Sequence, residues 1–147
     1  MSDAELAAAA VRAVPDAVVV VDRNGIIQLW NSGAARIFGW AEDQAVGRSL
    51  DLIVPERLRQ RHWEGFHHAV ATGTTRYGAD SLLAVPAVRA DGEQISVEFT
   101  VAFITPPGED AAGGMVAVLR DVTERRRAER ELRSRLAELE KAAEAQR

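Results

Sequence analysis

Apolar and polar positions along the chain change their period several times, and each period implies an element. Residues 2–14 carry Ser2 and Glu5 at capping-box spacing, the helix-favouring run Ala7 to Ala10, and Pro15 as a stop, which predicts a helix. Ala17 to Asp22 is a β-branched run, and Ile26 to Trp30 is a second apolar run. Between them, Asn24-Gly25 predicts a hairpin. Asn31 is placed to cap a short helix through Phe38, ended by Gly39, and residues 41–54 read as short turns punctuated by Gly47 and Pro55. A longer helix is expected from Pro55 to Gly73.

Residues 81–88 read as a strand and Ala90-Asp91-Gly92 as a turn. Ile95, Val97, Phe99, Val101 and Phe103 then alternate with Gln94, Ser96, Glu98, Thr100 and Ala102. That period of two predicts a strand with one buried face. A loop from Thr105 to Gly114 leads to the last strand, Met115 to Leu119. From Val122 the sequence turns to Arg, Glu, Ala and Leu, and Asp121 stands three residues before Glu124, the spacing of another capping box. Spacings of three and four bring Leu132, Leu136 and Leu139 onto one seam. The seam suits a short coiled coil pairing two chains, or a single amphipathic helix lying on its own domain; the dimeric reading is preferred because few other apolar positions are available. The expected organisation is therefore a flanking helix at 1–14, a domain at 15–121 and a C-terminal coiled-coil helix at 122–147.

Composition narrows the chemistry. The chain has 147 residues, of which 47% are hydrophobic and 27% charged, enough for one packed domain with appendages. There is no cysteine, which excludes disulfides, thiolate metal sites, cysteine nucleophiles and a cysteinyl–flavin adduct. No apolar run approaches the roughly 20 residues of a spanning helix, and the acidic start is unlike a signal peptide, so the expectation is a cytoplasmic protein without a membrane partner. Residues 1–121 carry 10 basic and 16 acidic side chains, a balance of −6, whereas residues 122–147 carry 8 and 6. An acidic body argues against nucleic acid as a partner. No Gly-rich phosphate loop and no nucleophile–base set is apparent, so the chain is not expected to be an enzyme.

The order of elements resembles the PAS sensor domain, and particular residues carry the resemblance over about residues 12–125. Trp30-Asn31 with Ala34-Ala35 and Ile37 to Trp40 is similar to the family's second strand entering its first core helix. Val46-Gly47-Arg48 resembles its Ile/Val-Gly-Arg step, and Arg89 to Gly92 its Arg/Lys-x-Asp-Gly turn. Asp121-Val122-Thr123-Glu124-Arg125 resembles the junction that leads into a signalling helix. The resemblance implies an α+β fold with a five-stranded antiparallel sheet, helices on one face, and a ligand pocket between sheet and long helix. It also implies a homodimer through the flanking helices and an output domain such as a histidine kinase, with Asp121, Thr123 and Glu124 as the signalling junction.

All three histidines fall on the 55–73 helix. At about 100° per residue, Leu58, Phe66 and Ala69 share one sector with Trp63 and Val70 at its edge. His62 lies inside this stripe, His67 at its margin and His68 on the polar side. A core histidine bonded to a backbone carbonyl is the bland reading of His62. The resemblance offers a sharper one, because in haem-binding PAS domains of the oxygen-sensing FixL type the proximal iron ligand is a histidine on this helix, a position His62 matches. It further implies haem b as cofactor, Leu58 and Phe66 beside it, Arg76 near a propionate, and Phe99 and Val101 on the distal side. The family's distal arginine is replaced by Leu82 or Leu83. The alternatives are a cofactor-free transmission module and a flavin (FAD or FMN) redox sensor with Trp30, Trp40 or Trp63 stacking on the ring. Glu64 and His68 are one helical turn apart but lack a third metal ligand.

Overall fold

The computed structural model describes residues 1–74, 83–105, 108 and 113–146, with Leu83 described by its backbone alone. Helix α1 spans Asp3–Ala13. Its capping box forms as expected: the Glu5 amide donates to Ser2 Oγ (3.1 Å) and the Ser2 amide to Glu5 Oε2 (3.0 Å). Strands β1 (Ala17–Asp22) and β2 (Ile27–Trp30) form the antiparallel hairpin, with Gly25 at φ 78° in its turn. The turn is wider than a two-residue Asn-Gly loop. Asp22 Oδ1 accepts the amides of Asn24 (2.9 Å) and Ile26 (3.0 Å), and Ile26, whose carbonyl accepts the Asp22 amide (3.0 Å), also bridges to Ser49.

Helix α2 (Ser32–Phe38) begins where Asn31 Oδ1 accepts the Ala34 amide (2.9 Å) and ends at Gly39, φ 79°. Its C-terminal carbonyls are taken by the next hairpin's turn: Ala90 N–H donates to Phe38 (2.8 Å) and Arg89 Nη1 to Ile37 (2.8 Å). Helix α3 (Glu42–Ala45) and a 3₁₀ turn at Leu50–Ile53 follow. The expected long helix is divided. A 3₁₀ turn covers Glu56–Leu58 and helix α4 proper runs Arg59–Thr72, closed by Gly73 at φ 70°. Pro55 supplies no amide and no side-chain cap, so the chain tightens before the α-helical ladder begins.

Strands β3 (Leu83–Val88), β4 (Gln94–Ile104) and β5 (Gly114–Asp121) complete a five-stranded antiparallel sheet in the order β2-β1-β5-β4-β3. The first two positions of the 81–88 prediction lie outside the described residues. Registers align Ala17, Leu119 and Phe99 in one row across the sheet, Val19, Ala117 and Val101 in the next, and Val21, Met115 and Phe103 in a third. These rows, with Ala34, Ile37 and Phe38 of α2 and Phe66 of α4, make the hydrophobic core. Alternation in β4 holds, but its burial is graded: Ile95 and Val97 are buried, whereas Phe99, Val101 and Phe103 are only half-buried. Helix α5 (Thr123–Ala145) leaves the sheet directly after β5.

Asn31 does more than cap α2. Its Oδ1 also accepts the Val18 amide (2.8 Å), and its Nδ2 donates to the carbonyls of Val11 (2.9 Å), Asp16 (3.1 Å) and Val14 (3.4 Å). Ser32 Oγ donates to the Arg12 carbonyl (2.6 Å). The C-terminal end of α1 is thereby fastened to the domain, although α1 has no buried residue. Helix α5 has none either, so it does not lie on its own domain as the single-helix reading required. Among the described residues no helix is long and apolar enough to cross a membrane.

Candidate functional site

Helix α4 is held at its N-terminal half by three polar fastenings. Trp63 Nε1 donates to Asp51 Oδ1 (2.7 Å), Arg59 Nε to the Val54 carbonyl (3.2 Å) and Arg59 Nη2 to the Asp51 carbonyl (3.3 Å). The indole of Trp63 also packs against the β1–β2 turn, where Gly25 leaves no room for a Cβ. These anchors lie on the first hairpin and the 3₁₀ turn. The half of the sheet bearing Phe99, Val101 and Phe103 is correspondingly less covered.

On this helix Phe66 and Ala69 are buried, and Trp63 meets Phe66 edge to face at 5.2 Å. His62 sits 4.8 Å from the Trp63 ring and stacks at 6.3 Å, near parallel, on Phe66. Its Nδ1 is enclosed and has no hydrogen-bond partner, which removes the bland reading of a histidine satisfied through that nitrogen by a backbone carbonyl. Burial pushes the imidazole below its ordinary pKa of 6.5; the Asp51 carboxylate opposes the shift and His67 reinforces it. His62 is therefore a neutral imidazole at neutral pH. His67 is exposed, 5.9 Å from Trp63. His68 is exposed, and its carbonyl accepts Thr72 Oγ1 (2.9 Å).

Phe66 belongs to the hydrophobic core, and Phe99 and Val101 pack against it. Leu58 does not join them through the helical stripe: the 3₁₀ turn ends at Leu58, which breaks the four-residue spacing to His62. Leu83 lies opposite Phe99 in the backbone register, while Arg76 and Leu82 lie outside the described residues. Trp30 is core, 2% exposed, with Nε1 on the Trp40 carbonyl (2.9 Å), and cannot face a flavin. Trp40 is half-buried beneath the Arg48 guanidinium at 5.4 Å. Among the described residues no three His, Asp or Glu side chains cluster as metal ligands. A half-buried imidazole with its pKa lowered by burial, set beside the Trp63 and Phe66 rings, fits the type of donor that a haem iron takes from a protein.

The exit from β5 is tied back to β4. Val122 is buried, and its amide donates to the Ser96 carbonyl (2.9 Å). Thr123 Oγ1 accepts the Ser96 amide (3.0 Å) and donates to Asp121 Oδ1 (2.6 Å), which also accepts the Thr123 amide (3.0 Å). Arg125 pairs with Glu98 one turn on. The expected capping box between Asp121 and Glu124 is absent: the N-cap is Val122, and Glu124 reaches forward to Arg127 (3.8 Å). Asp121 still belongs to the strand, opposite Val97 of β4, so it is not the N-cap whose amide Glu124 would have reached. Ser96, Glu98 and Arg125 are parts of this junction that the sequence reading did not single out. Arg125 alone had a signal, as the last residue of the junction motif. Leu132, Leu136 and Leu139 are exposed along α5, and Leu6 along α1.

A family model described as the PAS fold matches residues 11–127. The chain is 31% identical over 126 residues to the sensor protein FixL of Bradyrhizobium diazoefficiens, covering 86% of this chain and 24% of that protein. It is 27% identical to the cell-division control histidine kinase PdhS of Brucella ovis over 87% of this chain and 12% of the kinase. The chain thus spans about a quarter or less of the curated relatives it matches. Among solved structures, the PAS domain of a Colwellia psychrerythraea protein superposes with a TM-score of 0.71 at 22% identity, covering 84% of this chain and 99% of that one. An RNA-binding light-oxygen-voltage receptor superposes at 0.72 with 19% identity, over 92% of this chain and 37% of the receptor. Sheet order, helix placement and the matched model agree: the chain belongs to the PAS family of sensor domains.

Proposed function

We propose that residues 15–121 form a haem-binding sensory domain of a bacterial signalling protein, with haem b held by His62 and a diatomic gas, oxygen foremost, or redox state as its signal. The observation that carries this reading is the place of His62, its pKa lowered by burial, beside Trp63 and Phe66 on the apolar side of α4. The FixL relative, a sensor by its name, adds weight. When bound, haem would supply a redox-active iron able to take a small gas. The chain's own residues have simpler duties: His62 offers a neutral nitrogen, Phe66, Phe99 and Val101 exclude water, and Arg76 and Leu83 complete the proposed set. Burial of His62 keeps it unprotonated and so available to a metal.

The signal leaves through Asp121, Thr123 and Glu124 into α5, which pairs with a second copy through Leu132, Leu136 and Leu139. It then reaches an output domain beyond residue 147, such as a histidine kinase, in the cytoplasm. A second reading, a cofactor-free module for dimerisation and transmission, is favoured by the two flanking helices that bury nothing within one chain. An absorbance spectrum of the purified protein supplied with excess haem separates the readings. A saturable Soret band that His62→Ala abolishes and His68→Ala keeps supports the first. Flavin bands would replace it, and no cofactor band at all leaves the second.

A further inference from the structure

A groove of about 410 Å³ opens between the α1–β1 link, the outer side of α2 and the β5–α5 junction. Three guanidiniums line it, those of Arg36, Arg89 and Arg120, against the carboxylates of Asp16 and Asp121. Asp16 is neutralised by Arg120, which donates to it through both Nε (3.2 Å) and Nη2 (3.1 Å). Asp121 Oδ1 is occupied by the amide and hydroxyl of Thr123. Among the described residues Arg36 and Arg89 form no ion pair with a carboxylate. Arg89 gives Nη1 to the Ile37 carbonyl, while its Nε is enclosed without a hydrogen-bond partner. A guanidinium can donate to two oxygens of one anion through adjacent N–H groups. Arg36 gives one Nη2 hydrogen to the Pro15 carbonyl and keeps further donors on the same groove. An enclosed charged donor with no acceptor is costly, and a native structure that keeps one invites a missing partner.

We propose that this groove binds a phosphate group, free or carried by a small metabolite, through Arg89 and Arg36. The tetrahedral oxyanion offers enough acceptors for both side chains, and the volume suits a small molecule rather than a polymer. Its position gives the site a consequence. The anion would join α2 and the β3–β4 turn beside Asp121, whose carboxylate holds the first residue of α5. The site is separate from His62 and does not depend on the haem reading.

The test is an amide-resolved NMR titration of the whole chain with sodium phosphate, and separately with glycerol phosphate, at constant ionic strength. Saturable shifts of the Ile37, Arg89, Ala90 and Thr123 amides with either ligand support the proposal. Saturation with the ester alone would identify a metabolite as the source, and equal saturation with both would identify the free ion as sufficient. Arg36→Gln and Arg89→Lys should each weaken binding roughly tenfold or more. Arg57→Gln, exposed and outside the groove, should leave it unchanged. Because Arg89 also holds the Ile37 carbonyl, Arg36→Gln is the variant that stands if Arg89→Lys disturbs folding. Shifts that never saturate, or binding unaltered in Arg36→Gln, would mean an adventitious ion only and overturn the proposal.

Discussion

Replacing Asn31 by alanine removes five hydrogen bonds made by one side chain that is 4% exposed. Two losses dominate the energetics. The buried Val18 amide is left without an acceptor, which costs about 1–3 kcal/mol. Loss of the α2 cap at Ala34 costs about 1 kcal/mol more. The carbonyls of Val11, Val14 and Asp16 lie nearer the surface and can turn to water, so their contribution is small. The sum is about 3 kcal/mol, and α1 should come free because its remaining polar tie in this region is Ser32 to the Arg12 carbonyl. Urea unfolding gives the stability loss, and hydrogen exchange of α1 and of Val18 gives its location. Asn31→Asp sharpens the test. It keeps the acceptor for Val18 and Ala34 but turns an oxygen toward three carbonyls, so α1 should detach while the α2 cap survives. A loss below about 1 kcal/mol with unchanged protection in α1 would refute the reasoning, since the orphaned amide alone should exceed it.

Four further outcomes follow from the geometry. The folded pKa of His62 lies below 6.5, so between the two values the unfolded chain binds more protons; stability of the haem-free protein should be complete above about pH 6.5 and fall as the pH drops toward the folded value. Urea midpoints that show the same slope in His62→Gln would assign that dependence elsewhere. Thr123→Val should cost about 1–2 kcal/mol at the junction by leaving the Ser96 amide unpaired, read as faster exchange at Ser96 and in the first turn of α5; unchanged exchange there would remove Thr123 from the junction. Gly25→Ala should lower the melting temperature more than Gly47→Ala. Both have positive φ, but only at Gly25 does the new Cβ strike Trp63, and equal losses would count against that packing. Removing residues 126–147 should weaken a dimer detected by light scattering while the sheet remains folded, and an undiminished dimer would move the contact away from Leu132, Leu136 and Leu139.

Local periodicity was enough for most of the architecture. The Ser2–Glu5 box, the cap at Asn31, the stops at Gly39 and Gly73 and the alternation of β4 are each set by residues within a few positions of one another, and all formed. Readings that assumed a continuous local pattern failed where a distant partner intervened. The Asp121–Glu124 box did not form because β5 runs on through Asp121, held opposite Val97 of the neighbouring strand, and the single helix expected from Pro55 is divided by a 3₁₀ turn at Glu56–Leu58.

For the candidate site the division is similar. Helical spacing marked His62 as the histidine on the apolar side, and the structure agrees that it is the most enclosed of the three. Its lowered pKa depends on burial beside Trp63 and Phe66, while Asp51, tied to α4 through Trp63 and Arg59, opposes the shift. The same holds for Arg36, Arg89 and Arg120, which lie 84 positions apart from first to last. Arg36 and Arg120 read in the sequence as surface arginines and Arg89 as the start of a turn motif. Only the docking of the β3–β4 turn on α2, beside the end of β5, brings their charges to a common groove. Sequence determines elements because backbone ladders and caps act over a few residues. Sites are decided by the tertiary structure because burial and charge act through space.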